Sequence, residues 1–213
     1  MNLYPKCVLL LILLLIPVSI QAQAEPPPLA VSTFDTDTEG WTTVGDTVEG
    51  SLPRFVPTGG NPGGYLSATD AERQARWYWS APAKFRGNFS PLYGRTLTFD
   101  LRQSDTQNQN SYSDVVLIGG GVVLWFDTPT NPASTWTSYE VVLEEAGWEN
   151  RITDLAATRE EMETVLGSLD SLLIRGEYRS GTDGTDVGDI DNVILGGSAT
   201  NLSSRLYLPL ISR

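Results

Sequence analysis

The strongest constraint on the fold of this chain is an alternating, aromatic-rich stretch between positions 76 and 102. Residues 93–102 alternate apolar with polar side chains, the two-residue period of a strand that has one buried and one wetted face. Upstream of them lies the triplet Trp77, Tyr78 and Trp79. A sheet with one apolar face needs a second layer to cover it. We therefore predict an all-β protein, an antiparallel jelly-roll-like β-sandwich.

Other segments supply the remaining strands and one short helix. Residues 114–118 and 122–126 are strongly β-prone and are separated by three glycines, which predicts a hairpin. Thr158 and Glu161 have the spacing of a capping box, and apolar residues then recur at helical spacing. The pattern predicts a helix over about 158–169 and further strands over 65–69, 136–143, 172–178 and 189–195.

The chain divides into four predicted segments. Residues 1–24 combine a positive start, an apolar run and small residues, which predicts a secretory signal peptide. The apolar run is shorter than the roughly 20 residues of a membrane-spanning helix, so we expect no transmembrane segment. Residues 25–31 form a Pro-rich spacer, residues 32–197 form the domain with a long loop over 50–64, and residues 198–213 form a C-terminal tail. The expected location is outside the cell or on its surface.

Composition limits the chemistry of the chain. The formal net charge is −12, which disfavours nucleic acid and anionic membranes as partners. There is no histidine, and the single cysteine lies inside the predicted signal peptide, so the usual serine, cysteine and zinc hydrolase sites lack their base or ligands. Paired carboxylates of a glycoside hydrolase remain conceivable at Glu144 with Glu145 or at Glu160 with Glu161. Neighbouring strand residues point to opposite faces, and acidic residues at a helix start favour its dipole, so we expect no enzyme.

Five sequence blocks occur in a characteristic order and spacing: residues 77–87, 93–102, 114–119, Trp148, and 158–166 with 172–176. Together they resemble the laminin B domain, also called laminin IV type A. The resemblance covers roughly residues 75–197. It implies a jelly-roll-like β-sandwich in an extracellular matrix or cell-surface protein, without catalytic activity.

Acidic residues near the two ends of the domain suggest a metal site. Asp35 and Asp37 lie on an early loop, and Asp189 and Asp191 lie at the last strand. The opening and closing segments are similar to those of secreted carbohydrate-binding jelly rolls, in which the first and last strands lie close together and often share a structural calcium. Calcium prefers carboxylate and carbonyl oxygens, so these four residues are the predicted ligands. The alternative is that they are turn formers and solvated charges.

The aromatic triplet is the candidate ligand-binding site. Because strand side chains alternate between faces, either Trp77 and Trp79 or Tyr78 must face outward. The sequence predicts a secreted, non-catalytic adhesion or recognition module for an extracellular protein or glycan. The alternative is a carbohydrate-binding module that stacks exposed aromatic rings on sugars. A secreted glycoside hydrolase is the third hypothesis.

Overall fold

A computed structural model describes residues 29–71, 76–179 and 186–197. Within these residues the chain forms two antiparallel sheets, of six and seven strands, and one α-helix, α1 (Arg159–Gly167). The predicted β-sandwich with one short helix is confirmed. The strands are β1 (Ala30–Ser32), β2 (Thr42–Val44), β3 (Arg54–Val56), β4 (Tyr65–Thr69), β5 (Tyr78–Ser80), β6 (Thr96–Gln103), β7 (Val115–Gly119), β8 (Val122–Phe126), β9 (Thr137–Val142), β10 (Trp148–Asn150), β11 (Leu155–Ala156), β12 (Leu169–Arg175) and β13 (Val187–Gly197).

The six-stranded sheet is built around the last strand. Its order is β3-β4-β13-β6-β9, and β1 also pairs with β13. Ala30 lies opposite Leu195, so the first and last strands are neighbours, as expected. The predicted spacer over 25–31 is too long at its C-terminal end, because Ala30 and Val31 already pair in β1. The predicted signal peptide, the first residues of the spacer and the tail lie outside the described residues.

The seven-stranded sheet has the order β11-β10-β8-β7-β12-β5-β2. The predicted glycine hairpin joins β7 to β8, with Val115 opposite Phe126. Gly120 and Gly121 have φ values of 58° and 79°, and glycine reaches this left-handed region without steric cost. The hairpin places β7 and β8 in the middle of the sheet.

The helix begins as its sequence predicts. The Thr158 hydroxyl accepts a hydrogen bond from the Glu161 amide at 3.3 Å, and the Glu161 carboxylate accepts one from the Thr158 amide at 2.8 Å. Its buried side chains face the β7–β8 hairpin, where the backbone of α1 approaches Gly119 closely. The helix lies within the predicted range of about 158–169: it ends at Gly167, and Leu169 opens β12. Within the described residues no helix has the length and apolar character needed to cross a membrane.

The predicted loop over 50–64 contains a strand. Residues Arg54–Val56 form β3, with Arg54 opposite Ser67 of β4. This strand is only three residues long and gains its hydrogen bonds from a partner outside the loop. The composition of residues 50–64 is that of a loop, but pairing with β4 makes three of these residues an edge strand.

Large aromatic side chains fill the space between the two sheets. Phe34 and Trp41 pack edge to face with ring centroids 5.9 Å apart, and both point inward as expected. Trp77 lies where the sheets come closest, against Gly188 of β13 and Gly176 just after β12. A Cβ atom on Gly176 would lie 1.9 Å from Cζ3 of the Trp77 ring. Only a residue without a side chain fits there.

We predict that Gly176→Ala destabilises the protein by about 2–3 kcal/mol, because the added methyl overlaps the buried Trp77 ring. Urea denaturation followed by circular dichroism measures this change in the free energy of unfolding. Gly167→Ala is the matched control, since the nearest atom that its new Cβ would meet outside the helix is the Ser90 hydroxyl oxygen, at 3.8 Å. An unchanged midpoint for Gly176→Ala would contradict the packing described here.

Candidate functional site

The outer face of the seven-stranded sheet carries a solvent-open cleft. Leu117 and Leu124 point into the core, so their strand neighbours Val116 and Trp125 point outward, where they lie opposite each other. The loop before β7 closes one side of this surface, and β10 closes the other. We call the resulting cavity of about 230 Å³ the aromatic cleft; it is lined by Tyr112, Ser113, Trp125, Asp127, Gly147 and Glu149.

The rings of Tyr112 and Trp125 form two walls of the aromatic cleft, and an arginine side chain stacks on each of them. The rings of Tyr112 and Trp125 meet edge to face with centroids 5.6 Å apart. The guanidinium of Arg76 lies 3.7 Å from the Tyr112 ring centroid, and that of Arg151 lies 4.7 Å from the Trp125 ring centroid. Such contacts hold long side chains in one orientation while leaving their polar edges available.

A buried ion pair positions the loop that carries Tyr112. Arg175 and Asp114 have fully buried side chains and approach to 3.6 Å. Arg175 also donates to the backbone oxygen of Asn110 at 3.0 Å and to its side-chain oxygen at 2.5 Å. Asp114 accepts a hydrogen bond from the amide of Thr128 at 2.9 Å. The pair therefore fixes one side of the aromatic cleft at the ends of β7, β8 and β12.

The two carboxylates of the cleft, Asp127 and Glu149, are exposed. Partial burial and the negative charge of Asp114 raise the pKa of Asp127, while Arg175 acts in the opposite direction. Exposed carboxylates next to aromatic walls and guanidinium groups can accept hydrogen bonds from a partner. The arrangement therefore has the chemistry of a binding surface.

The structure divides the predicted ligand-binding triplet between two environments. Trp77 and Trp79 are 1% and 0% exposed and pack edge to face at 5.0 Å. Their prediction as ligand contacts is therefore wrong, because strand alternation turns both rings into the core. Tyr78 faces outward, is half-buried, and donates a hydrogen bond to the backbone oxygen of Ser113 at 3.3 Å. It lies at the border of the aromatic cleft.

Sequence reasoning missed Tyr112 as a site residue because it lies in a polar loop without a strand pattern. The sequence did not distinguish Trp125 from the other tryptophans. The signal that could have done so is its place next to the buried Leu124 in a strand, because neighbouring strand residues face opposite sides of the sheet. Tyr112 is brought to Trp125 by long-range contacts of its loop, among them the hydrogen bonds of Arg175 to Asn110 and of Tyr78 to Ser113.

The four predicted calcium ligands make contacts within the protein. Asp37 accepts a hydrogen bond from the Glu39 amide at 2.6 Å, within its own turn. Asp189 forms an ion pair with Arg102 at 2.7 Å. Burial raises the pKa of Asp191, and the negative charge of Asp35 contributes to this shift. In the part of the chain that the structure describes, no group of three His, Cys, Asp or Glu residues could hold a metal ion. Calcium binding stays a prediction from the sequence.

Comparison with known proteins defines the class of this fold. The L4b domain of human laminin alpha-2 superposes with a TM-score of 0.58 at 16% identity, covering 79% of this chain and 98% of that domain. An exo-β-agarase structure superposes with a TM-score of 0.51 at 11% identity, covering 79% of this chain and 24% of that one. At these identities the likeness concerns the fold, a β-sandwich domain of the laminin type.

Sequence comparison supplies the family. The profile of laminin B (domain IV) matches residues 78–205. The chain is 28% identical over 160 residues to a basement membrane proteoglycan of Caenorhabditis elegans, covering 74% of this chain and 5% of that protein. It is 31% identical over 156 residues to laminin subunit gamma-1 of Xenopus tropicalis, covering 70% of this chain and 9% of that protein. The chain belongs to the laminin B family, and it spans only a small part of these relatives.

A buried carboxylate lies at the same end of the sandwich as Arg175. Glu177 is 6% exposed, and its Oε2 atom has no hydrogen-bond partner among the described residues. Burial raises the pKa of Glu177 to about 7, and the charges of Asp70 and Asp186 act in the same direction. Arg175 and Arg76 oppose the shift. Between about pH 4.5 and pH 7, Glu177 is therefore mostly protonated in the folded protein and mostly ionised in the unfolded chain.

We predict that the protein is more stable at pH 5 than at pH 8. An acid with a raised folded-state pKa stabilises the fold below its unfolded pKa, and this contribution is lost as the pH rises through about 7. Burial also raises the pKa of Asp191, to about 6. This shift likewise makes the folded protein less stable as the pH rises.

Glu177→Gln should remove roughly 2–3 kcal/mol of this pH dependence of the unfolding free energy. Urea titrations at pH 5, 6, 7 and 8 measure it. Glu160→Gln, which changes an exposed carboxylate on α1, should keep the wild-type slope. Equal slopes for wild type and Glu177→Gln would show that Glu177 is not the titrating group.

Proposed function

We propose that this chain is a secreted, non-catalytic adhesion or recognition module that binds an extracellular protein through the outer face of its seven-stranded sheet. The observation that carries the proposal is the aromatic cleft, with its stacked tyrosine, tryptophan and arginine side chains, on an apolar sheet surface. Membership of the laminin B family supports the extracellular setting.

The sheet surface next to the aromatic cleft is unusually apolar for an outer face. Val116 lies opposite both Trp125 of β8 and Leu173 of β12, and Ile118 lies opposite Val123. All five side chains are partly exposed. Antiparallel sheets that face water normally alternate apolar with polar residues. A continuous apolar row that reaches the surface is typical of an interaction site.

The composition of this surface favours a protein partner. Tyrosine, tryptophan and arginine are enriched in protein interfaces, and lysine is depleted. The aromatic cleft has Tyr112 and Trp125 as walls, with Arg76 and Arg151 stacked on them. Because these contacts already restrict the arginine side chains, less conformational entropy is lost when a partner binds.

The chemistry of the chain supports binding without catalysis. The sequence contains no histidine, and its one cysteine is Cys7. Asp127 and Glu149 are exposed, and neither has the buried setting of a glycosidase general acid. Relatives of the chain include a basement membrane proteoglycan and laminin subunits. Proteins of this kind are therefore the first partners to test.

We predict that the mature chain binds at least one member of a panel of immobilised basement membrane proteins, measured by surface plasmon resonance. Trp125→Ala should weaken this binding about tenfold or more, because it removes one wall of the aromatic cleft.

Trp136→Ala is the matched control, since it removes a partly exposed tryptophan from the opposite sheet. It should leave the affinity for these proteins unchanged. Equal losses for both variants, or binding that survives Trp125→Ala, would place the contact elsewhere. No binding to any member of the panel would overturn the proposed partner class.

A further inference from the structure

The outer face of the six-stranded sheet carries a second, chemically different depression. Leu97, Phe99 and Leu101 of β6 point into the core, so Thr98 and Asp100 lie on the other face of the strand. Thr98 is partly exposed, and Asp100 is covered by its neighbours to 7% exposure. On one side, Asp100 lies opposite Ser138 and Thr98 lies opposite Glu140 of β9; on the other side lies β13. We call this open depression of about 410 Å³ the polar groove; its outward-facing side chains are Thr98, Asp100, Ser138, Glu140, Asn192 and Ile194.

The polar groups of this groove are held in place before any ligand arrives. The Asp100 carboxylate accepts hydrogen bonds from the side-chain amides of Asn61 at 3.1 Å and Asn192 at 2.9 Å. The backbone amide of Asn61 donates to Asp191 at 2.5 Å, which ties the loop to β13. Asn192 has a φ of 50° where the pairing of β13 with β6 shifts, so its side chain leaves the regular strand alternation. Preorganised groups lose little freedom on binding.

An aromatic platform stands beside the polar groove. Tyr65 and Trp136 meet edge to face at 5.5 Å, and the Arg102 guanidinium lies 4.9 and 4.5 Å from their ring centroids. Asp189 holds this guanidinium with two hydrogen bonds of 2.9 and 2.7 Å. The indole nitrogen of Trp136 donates to the oxygen of Gly59 at 3.0 Å. The same loop thus supports both the platform and, through Asn61, the groove.

This combination fits one ligand class. Short planar amides and carboxylates satisfy the donor and acceptor pairs of sugar hydroxyls, and a partly exposed aromatic ring offers a flat apolar surface to a sugar ring. Phe99 and Tyr139 also line the groove, but both are buried, and Ile194 is the one large aliphatic side chain among its partly exposed residues. The groove therefore offers little of the accessible apolar area found at the centre of a protein interface. Asp100 and Glu140 disfavour anionic chains by charge. We propose that the polar groove and its Trp136 platform bind a neutral polysaccharide.

The sugar site is therefore on the sheet opposite the aromatic cleft and does not depend on the triplet at 77–79. A module with one face for protein and one for polysaccharide can connect the two.

Affinity electrophoresis tests the proposal. The mature chain is run in native gels containing soluble β-glucan, xylan, galactomannan, starch or dextran, with bovine serum albumin as the mobility standard. At least one of these neutral polysaccharides should retard the wild-type protein. Trp136→Ala should abolish the retardation by removing the platform.

Ser138→Arg gives a second variant that keeps the core and the platform intact, because it changes an exposed residue on the floor of the groove. Its larger side chain should fill the groove and also abolish retardation. Trp125→Ala should migrate like wild type in every gel. Circular dichroism of each variant verifies its fold.

Two results would overturn the proposal. The first is wild-type mobility that none of the five polysaccharides changes. The second is retardation that persists in folded Ser138→Arg and is lost in Trp125→Ala, which would place sugar binding in the aromatic cleft. Because the protein partner is tested through Trp125 and the polysaccharide through Trp136 and Ser138, either proposal can fail without the other.

Discussion

The burial of Trp77 between two glycines joins the two sheets of this domain. Its ring packs against Gly176, which follows β12 of the seven-stranded sheet, and against Gly188 in β13 of the six-stranded sheet. The side chain of Gln103 donates to the oxygen of Gly176 at 2.9 Å and closes the same junction. Because strand side chains alternate, the inward position of Trp77 and Trp79 also turns Tyr78 outward. Because Trp77 and Trp79 are buried at this junction, Tyr78 is the aromatic residue of β5 that can contact a partner.

Arginine stacking explains a bias in the composition. After the predicted signal peptide, Lys84 is the only lysine. In the described part of the chain, guanidinium groups lie over aromatic rings at five arginines: Arg76, Arg102, Arg151, Arg159 and Arg175. A planar, weakly hydrated guanidinium can lie flat on a ring and donate several hydrogen bonds at its edge, whereas an ammonium group has no planar face to stack. Arginines stack on aromatic rings on the outer faces of both sheets, beside the aromatic cleft and beside the polar groove. The same residue type therefore contributes to two surfaces of different polarity.

Much of the fold could be predicted because its signals are local. The alternation in β6, the glycine hairpin between β7 and β8 and the capping box at Thr158 each lie within a few residues. The elements that the sequence did not predict depend on contacts between residues far apart in the chain. Strand β3 exists because Arg54 pairs opposite Ser67, and the aromatic cleft forms because Arg175 holds Asn110 from across the sheet.

Prediction of the site residues from the sequence was limited in the same way, because it also depends on contacts between distant residues. The sequence identifies the aromatic triplet but does not tell which face of the strand meets the core. The acidic residues near the two ends of the domain suggested a single metal site. In the fold, Asp189 pairs with Arg102, which stacks on the Trp136 platform. A carboxylate that resembles a metal ligand in the sequence thus supports an aromatic surface in the fold.

We propose that the domain works through two tryptophans on opposite outer faces, Trp125 and Trp136, while its other tryptophans fill the core. Hydroxyl-radical footprinting with mass spectrometry measures the oxidation rate of each tryptophan in one experiment. Trp125 and Trp136 should oxidise rapidly, and Trp41, Trp77, Trp79 and Trp148, each at most 1% exposed, should be protected until the protein unfolds. Rapid oxidation of Trp77 or Trp79 in the folded protein would contradict the account.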